Sequence, residues 1–491
     1  VTPIVVSFAV GSEVNIANNS IVKISGSASN TYNGVLSGNN VWVFNTTGTT
    51  TLNGVNTFNT GNTYIQRGTL VLNNPTNAIQ NDNDTHLMRG ATLTSNFNET
   101  LGLLYTQRGS TVNIGAGTTL TIDDPAAQYM GGTFAGATGN LTLAGGNYAA
   151  MYGTNTFGGN LLLNNATVQS PSLTNAIGSA AVITLGSAAN AGNLEYIGSG
   201  ETFAKNITLD GTGTKRITAS GNGGLTLSGN LSANANSTLS LSGQTGGIIA
   251  STAIANTISG SITEGTGVLS LLMAATANDD RFGVTGRWKL TNAANDFSGA
   301  VTVNIGILEL NGDLKTGVET TSVLGDLSAT RTITLGTNNF DGRRYDIFGN
   351  GDNLGVVGAT GSMGTLIFND PNAGTATLGS NITFTQAFSS TTAPGRGKLV
   401  NDGVKVINIA GNLTSGASGA RAWSLDGTNT GINTISGAIS DTSGGETVSI
   451  IKEGSGTWRL SGANTFESSV TVTRGLLQIS GGTSVNDAAT V

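Results

Sequence analysis

The chain has 491 residues, a formal net charge of −7, 73 glycines, only 10% charged residues and no cysteine. The negative charge speaks against nucleic acid or an anionic membrane as partner. No apolar run approaches the roughly 20 residues of a spanning helix, so no membrane span is expected. Glycine never recurs at every third position and prolines number 6, which excludes collagen. The 37% apolar residues are set in alternation, which argues against a solvated coil. Lack of cysteine fits export through an oxidising compartment.

The opening run Val1-Thr2-Pro3-Ile4-Val5-Val6-Ser7-Phe8 carries no charged n-region or cleavage site, so a signal peptide has been removed or lies outside the sequence. A motif follows at residues 50–72: Thr50-Thr51-Leu52-Asn53-Gly54-Val55-Asn56-Thr57-Phe58, then Gly68-Thr69-Leu70-Val71-Leu72. Short alternating runs then succeed one another, among them Leu120-Thr121-Ile122, Leu141-Thr142-Leu143, Ile183-Thr184-Leu185, Ile207-Thr208-Leu209 and Leu239-Ser240-Leu241. Apolar residues two apart with Thr or Ser between them have the period of a strand with one buried face. Gly, Asn and Ser behind each run supply corners.

The motif returns at residues 288–310, from Trp288-Lys289-Leu290 through Asn295-Asp296-Phe297 to Gly306-Ile307-Leu308-Glu309-Leu310. A partial copy occupies residues 423–430, Trp423-Ser424-Leu425-Asp426-Gly427-Thr428-Asn429-Thr430. The fullest copy fills residues 458–479: Trp458-Arg459-Leu460-Ser461-Gly462-Ala463-Asn464-Thr465-Phe466, then Gly475-Leu476-Leu477-Gln478-Ile479. Its Trp, Leu, Phe and Leu-x-Ile positions read as one coil's buried set, and Gly462 and Gly475 as corners.

Sandwiches and solenoids share this signature. Sandwich domains of about 100 residues come with linkers; here the pattern runs on without a Pro-rich or charged break, so residues 1–491 are expected to form one continuous solenoid. In stacked coils, like side chains form ladders, which Asn and Thr tolerate and like charges do not. The scarcity of charge is thus a signal of fold. At about 20 residues per coil and the usual strand spacing, some 24 coils would extend on the order of 110–120 Å.

The sequence Gly-x-Gly-Thr-Trp-x-Leu-x-Gly-x-Asn-Thr-Phe, followed by Val-Thr-Val and Gly-x-Leu-x-Ile, resembles the autotransporter-associated β-strand repeat, also called the passenger-associated transport repeat. The match is close at 454–479, good at 286–310 and looser at 50–72. The resemblance implies an all-β, right-handed parallel β-helix with no helical domain, belonging to a large secreted or surface-exposed bacterial protein. Aromatic residues at 5% supply no girdles for a membrane barrel, so the resemblance reaches the passenger part alone.

Candidate sites are few. Asp82 and Asp84, in Gln80-Asn81-Asp82-Asn83-Asp84-Thr85-His86, offer hard oxygen ligands, but the loop lacks the glycine and distal Glu of an EF-hand and reads as a polar bulge. Gly349-Asn350-Gly351-Asp352-Asn353 has no tandem partner and reads as a turn. Asp123 with Asp124 and Asp279 with Asp280 are adjacent, so on a strand they point to opposite faces and neither forms a catalytic pair. Arg343 and Arg344 near Asp341 and Asp346 read as a solvated salt cluster. One histidine and no cysteine leave no nucleophile constellation. Trp288, Phe297, Trp458 and Phe466 would make either a sugar-stacking platform or, the favoured reading, core.

The expectation is a non-enzymatic protein of the extracellular space or bacterial cell surface: a rigid rod serving as stalk, adhesin or filament subunit, with no cofactor. Its expected partners are another copy stacked head-to-tail, or further repeats of a longer chain. A glycan or cell-surface partner would dock on lateral loops, around 76–100 or 338–400, and a polysaccharide-active enzyme is the remaining alternative.

Overall fold

The computed structural model describes residues 13–15, 21–39, 41–57, 62–76, 78–243, 254–273, 286–304, 306–316, 319–336, 363–386, 395–416, 420–441 and 447–481. They form two compact units, one of Val1–Gly198 with Asn206–Arg216 and one of Ser199–Lys205 with Ile217–Val491. Within each unit, short strands pair in parallel with strands one turn of chain away, which makes each a parallel β-helix. Parallel pairing decides against the sandwich, whose hairpins would pair antiparallel.

In the first unit a coil consists of three strands, for example Leu104–Thr106, Thr111–Ile114 and Thr119–Asp123. Alternation dictates which side chains go in. Leu101, Ile122, Leu143, Leu163, Leu185 and Leu209 pair in succession, and every one is buried. Removing each such side chain from water contributes about 2 kcal/mol, so the column is the unit's main cohesive element. Outward positions close ladders of their own: Asn53 donates to Asn33 at 2.6 Å, Asn73 to Asn53 at 2.8 Å and Asn96 to Asn73 at 2.9 Å.

One coil departs from strands. Leu173–Ile177 makes a single helical turn, N-capped by Ser172, whose hydroxyl accepts from the Asn175 N–H at 3.3 Å, and ended by Gly178 at φ 62°. Too short to show helical periodicity, it buries Leu173, Ala176 and Ile177 in place of a strand.

The second unit repeats the plan with Trp288, Leu308, Leu366, Leu399 and Leu425 paired in succession, and beside them Leu378, Ile409, Ile435, Leu460 and Ile479. Its coils vary more in length. A coil-to-coil hydrogen bond spans 25 residues at Ile439 to Asn464, 36 at Gln386 to Ala422 and 56 at Leu314 to Asp370.

Candidate functional site

The motif that recurs in the second unit is built from four interior devices. Trp288 and Trp458 each occupy the second position of a four-residue strand, Arg287–Leu290 and Thr457–Leu460. Both indoles are fully buried, as are Leu290 and Leu460 two residues on. Each lies above an interior asparagine of the preceding coil, Asn256 and Asn433 respectively. The Trp288 N–H donates to the Ser242 carbonyl at 3.2 Å and the Trp458 N–H to the Asp426 carbonyl at 2.9 Å. Both acceptors precede a glycine with positive φ, Gly243 at 105° and Gly427 at 109°, where a Cβ would collide with the backbone of the coil before. The aromatic residue thus fills the interior and also ties down a corner.

The second device is the asparagine of Asn-x-Phe. Asn295 accepts from the Ile262 N–H of the preceding coil at 2.8 Å and donates to the Val323 carbonyl beyond it at 3.0 Å. Asn464 accepts from the Ile439 N–H at 2.8 Å. The third device is the phenylalanine: Phe297 and Phe466 are fully buried, and the Arg331 guanidinium lies 5.5 Å from the Phe297 ring centre while donating to the Phe297 and Leu324 carbonyls. Burial pulls the Arg331 pKa down to about 10. The fourth is the glycine opening the return strand, Gly306 at φ 104° and Gly475 at φ 75°. Gly462 has a different reason to be glycine: a Cβ there would strike the Gly437 carbonyl.

The partial copy keeps less of this. Trp423 is fully buried in Ala420–Gly427, but among the described residues its indole N–H has no hydrogen-bond partner.

Comparison with known proteins agrees with this geometry. The passenger-associated-transport-repeat family matches at residues 285–310 and 450–479. The chain carries passenger-associated transport repeats. A similar protein is an adhesin, the BmaC autotransporter of Brucella suis biovar 1 (strain 1330), 26% identical over 391 residues. That alignment takes in 76% of this chain and 10% of the relative, so the chain spans about a tenth of the relative's length. No solved structure matches.

Outside the two matched repeats, the same asparagine device occurs in the first unit, where Asn-Thr-Phe at 56–58 and 155–157 is its signal in the sequence. Asn56 accepts from the Leu36 N–H at 2.9 Å and donates to the Ala78 carbonyl at 2.7 Å. Asn155 accepts from the Phe134 N–H at 2.8 Å and donates to the Ala176 carbonyl at 2.6 Å. The sequence reading saw the first of these copies and missed the second. Glu99 takes a related place, its carboxylate accepting from the Ala78 and Ile79 N–H groups, both at 3.1 Å. Burial pushes the Glu99 pKa up to about 7 against the two N–H groups that favour its charge.

The remaining sequence candidates stay apart. Asp82 is exposed and Asp84 partly so, and among the described residues no group of three or more His, Asp or Glu side chains gathers. Asp124 accepts from the Ala126 N–H at 2.6 Å, as in an Asx turn, while Asp123 ends the strand Thr119–Asp123. Asp279, Asp280, Asp341, Arg343, Arg344, Asp346 and the Gly349–Asn353 turn lie outside the described residues.

Proposed function

We propose that this chain is part of an extracellular adhesin passenger whose role is mechanical, a non-enzymatic β-solenoid that holds binding surfaces away from the bacterial surface. The observation that carries this reading is where the repeat's distinctive residues are used: Trp288 and Trp458, Asn295, Asn464, Phe297 and Phe466 all face the interior and bind coil to coil. The residues the repeats share are thus spent on joining coils rather than offered to solvent. The adhesin relative supports the surface setting.

The reading includes a stacking partner, either further coils of a longer chain or a second copy. In support, the strand Gly306–Leu310 is paired on both edges, whereas Leu476–Ile479 is paired on one among the described residues and leaves Leu476 50% and Ile479 47% exposed. Light scattering and negative-stain images of the purified chain test it. Elongated particles that associate end to end are expected; globular particles, or rods that stay monomeric at every concentration, would sink it. Bacteria displaying the chain, probed by antibody and for attachment to host cells against a strain lacking it, test the surface role.

A further inference from the structure

On one lateral face of the first unit an aromatic side chain stands at each of five successive levels: Tyr64, His86, Tyr105, Tyr129 and Tyr152. Neighbouring ring centres are 4.7, 5.9, 5.6 and 5.6 Å apart. The rings are half-buried, and their faces are largely taken up by one another, with tilts of 40° and 35° at the two middle steps. Gly131 leaves the space the Tyr129 ring fills, since a Cβ there would come within 2.5 Å of it. What this row offers to solvent is ring edges and polar tips.

Those tips contrast with the asparagine column. The asparagine column from Asn33 to Asn96 closes its bonds within itself. Tyr64 accepts from Asn62 at 3.0 Å, but the hydroxyls of Tyr105, Tyr129 and Tyr152 and the His86 imidazole have no hydrogen-bond partner among the described residues. Each hydroxyl both donates and accepts, as does a neutral imidazole. Burial lowers the His86 pKa, against the pull of Asp84, and so favours the neutral ring. Near the Tyr152 end, Tyr148 donates to Glu195 at 2.6 Å and receives the Gln169 amide.

We propose that this row is a binding site for a neutral, linear β-1,4-linked glycan lying along the coil axis. Two features select that occupant. The tips repeat once per coil, and an extended β-1,4 chain advances per sugar by close to one coil spacing. Sugar hydroxyls need partners that both donate and accept, on a rigid amphipathic support that loses little entropy on binding. Glu195 would repel a polyanion at the Tyr148 end, whereas exposed Arg67, Arg89 and Arg108 follow Tyr64, His86 and Tyr105 by three residues, so a charged chain is tested beside the neutral ones. The proposal rests on the reading of the chain as an exposed passenger and assigns it a ligand class.

Calorimetry with cellohexaose and chitohexaose, and polygalacturonate as the charged control, tests it on the full chain. Saturable binding of at least one neutral hexasaccharide is expected, weakened about tenfold or more in the triple variant Tyr105→Phe, Tyr129→Phe, Tyr152→Phe, which keeps the ring stack and removes only hydroxyls. An unchanged thermal transition confirms that the variant folds. No binding of either neutral chain, equal binding by the triple variant, or preference for polygalacturonate would overturn the site. Images of the same protein score the stalk separately, so losing the glycan leaves that reading standing.

Discussion

The two units solve one problem, holding a coil to its neighbours, with different chemistry. In the first, coils are short, and bonds such as Asn53 to Asn33 and Asn155 to Phe134 span 20 and 21 residues. Neutral ladders suffice there because like side chains meet at nearly every level. The second adds ionic clamps, between levels separated by anything from 22 to 92 residues. Lys405 reaches Asp313 and Asp370 at 2.5 and 2.9 Å, contacts that span 92 residues in the first case. Glu309, wholly buried, is held by Arg287 at 2.5 Å and by Asn369 at 2.8 Å. A neutral ladder needs a like partner on the next level, which an irregular coil does not supply; a charged pair needs only one opposite charge and tolerates variation in the chain between.

The contrast can be broken most forcefully at Trp288. Trp288→Ala removes a fully buried indole and its bond to Ser242, and is expected to cost about 3–5 kcal/mol. Hydrogen exchange read unit by unit should show faster opening in the second unit alone. Equal loss of protection in the first would end the idea that the two are stabilised separately.

Next in size is Lys405→Met, which strands Asp370, a residue only 2% exposed, and should lower stability by about 3 kcal/mol in denaturant unfolding. Desolvation opposes the Lys405 charge, but its two aspartates overcome this and hold the pKa above the ordinary lysine value. Adding Asp370→Asn should recover part of the loss, and strict additivity of the two changes would show that the clamp is not a coupled pair.

In the first unit, Glu99 sets a pH dependence of opposite origin. Its folded pKa of about 7 lies above the ordinary 4.5, so the native state holds the proton more tightly than the unfolded chain. The stability this contributes is complete below pH 4.5 and declines as pH rises to about 7, by on the order of 2–3 kcal/mol. Thermal melts at pH 5 and pH 8 should differ in that direction, and Glu99→Gln should flatten the difference. A wild-type protein more stable at pH 8 would contradict this account of Glu99.

The smallest effect is expected at Asn155. Asn155→Ala leaves the Phe134 N–H and the Ala176 carbonyl unpaired, a loss of about 1–2 kcal/mol. Asn155→Asp keeps the acceptor but buries a carboxylate against the Ala176 carbonyl, so at pH 7 it should cost at least as much as alanine. An aspartate variant as stable as the wild type would contradict the donor half of the device.

How far the sequence announced all this depends on whether a feature repeats in residue identity or only in space. The alternating runs, the parallel fold and the buried Trp, Leu and Phe positions were legible because each obeys a local rule of two-residue alternation or copies a motif word for word. Asn155 was legible in principle, since it stands in the same Asn-Thr-Phe as Asn464, but no Trp precedes it to mark a copy. The aromatic row was not legible. Tyr64, His86, Tyr105, Tyr129 and Tyr152 are brought together by pairings such as Tyr64 with His86 and His86 with Tyr105, and the intervals between them vary because each corner has its own length. The Leu173–Ile177 turn was hidden for a related reason: one helical turn is shorter than the window in which helical periodicity can be seen. The ionic clamps were invisible because their partners lie up to 92 residues apart.

The asparagine device has a consequence for how such a chain lengthens over evolutionary time. Because Asn56, Asn155 and Asn295 each grip the level below and the level above, a duplication or loss is tolerated when it carries one whole turn, since the new neighbours then offer the same amide and the same carbonyl. A fractional turn would leave one hand of the asparagine empty and, where it counts an odd number of residues, reverse which side chains face inward. Genes for such proteins would therefore change length in steps of a coil, while corners are free to grow a residue at a time, and the contrast between the short coils of the first unit and the long excursions of the second is what those two modes of growth would leave behind.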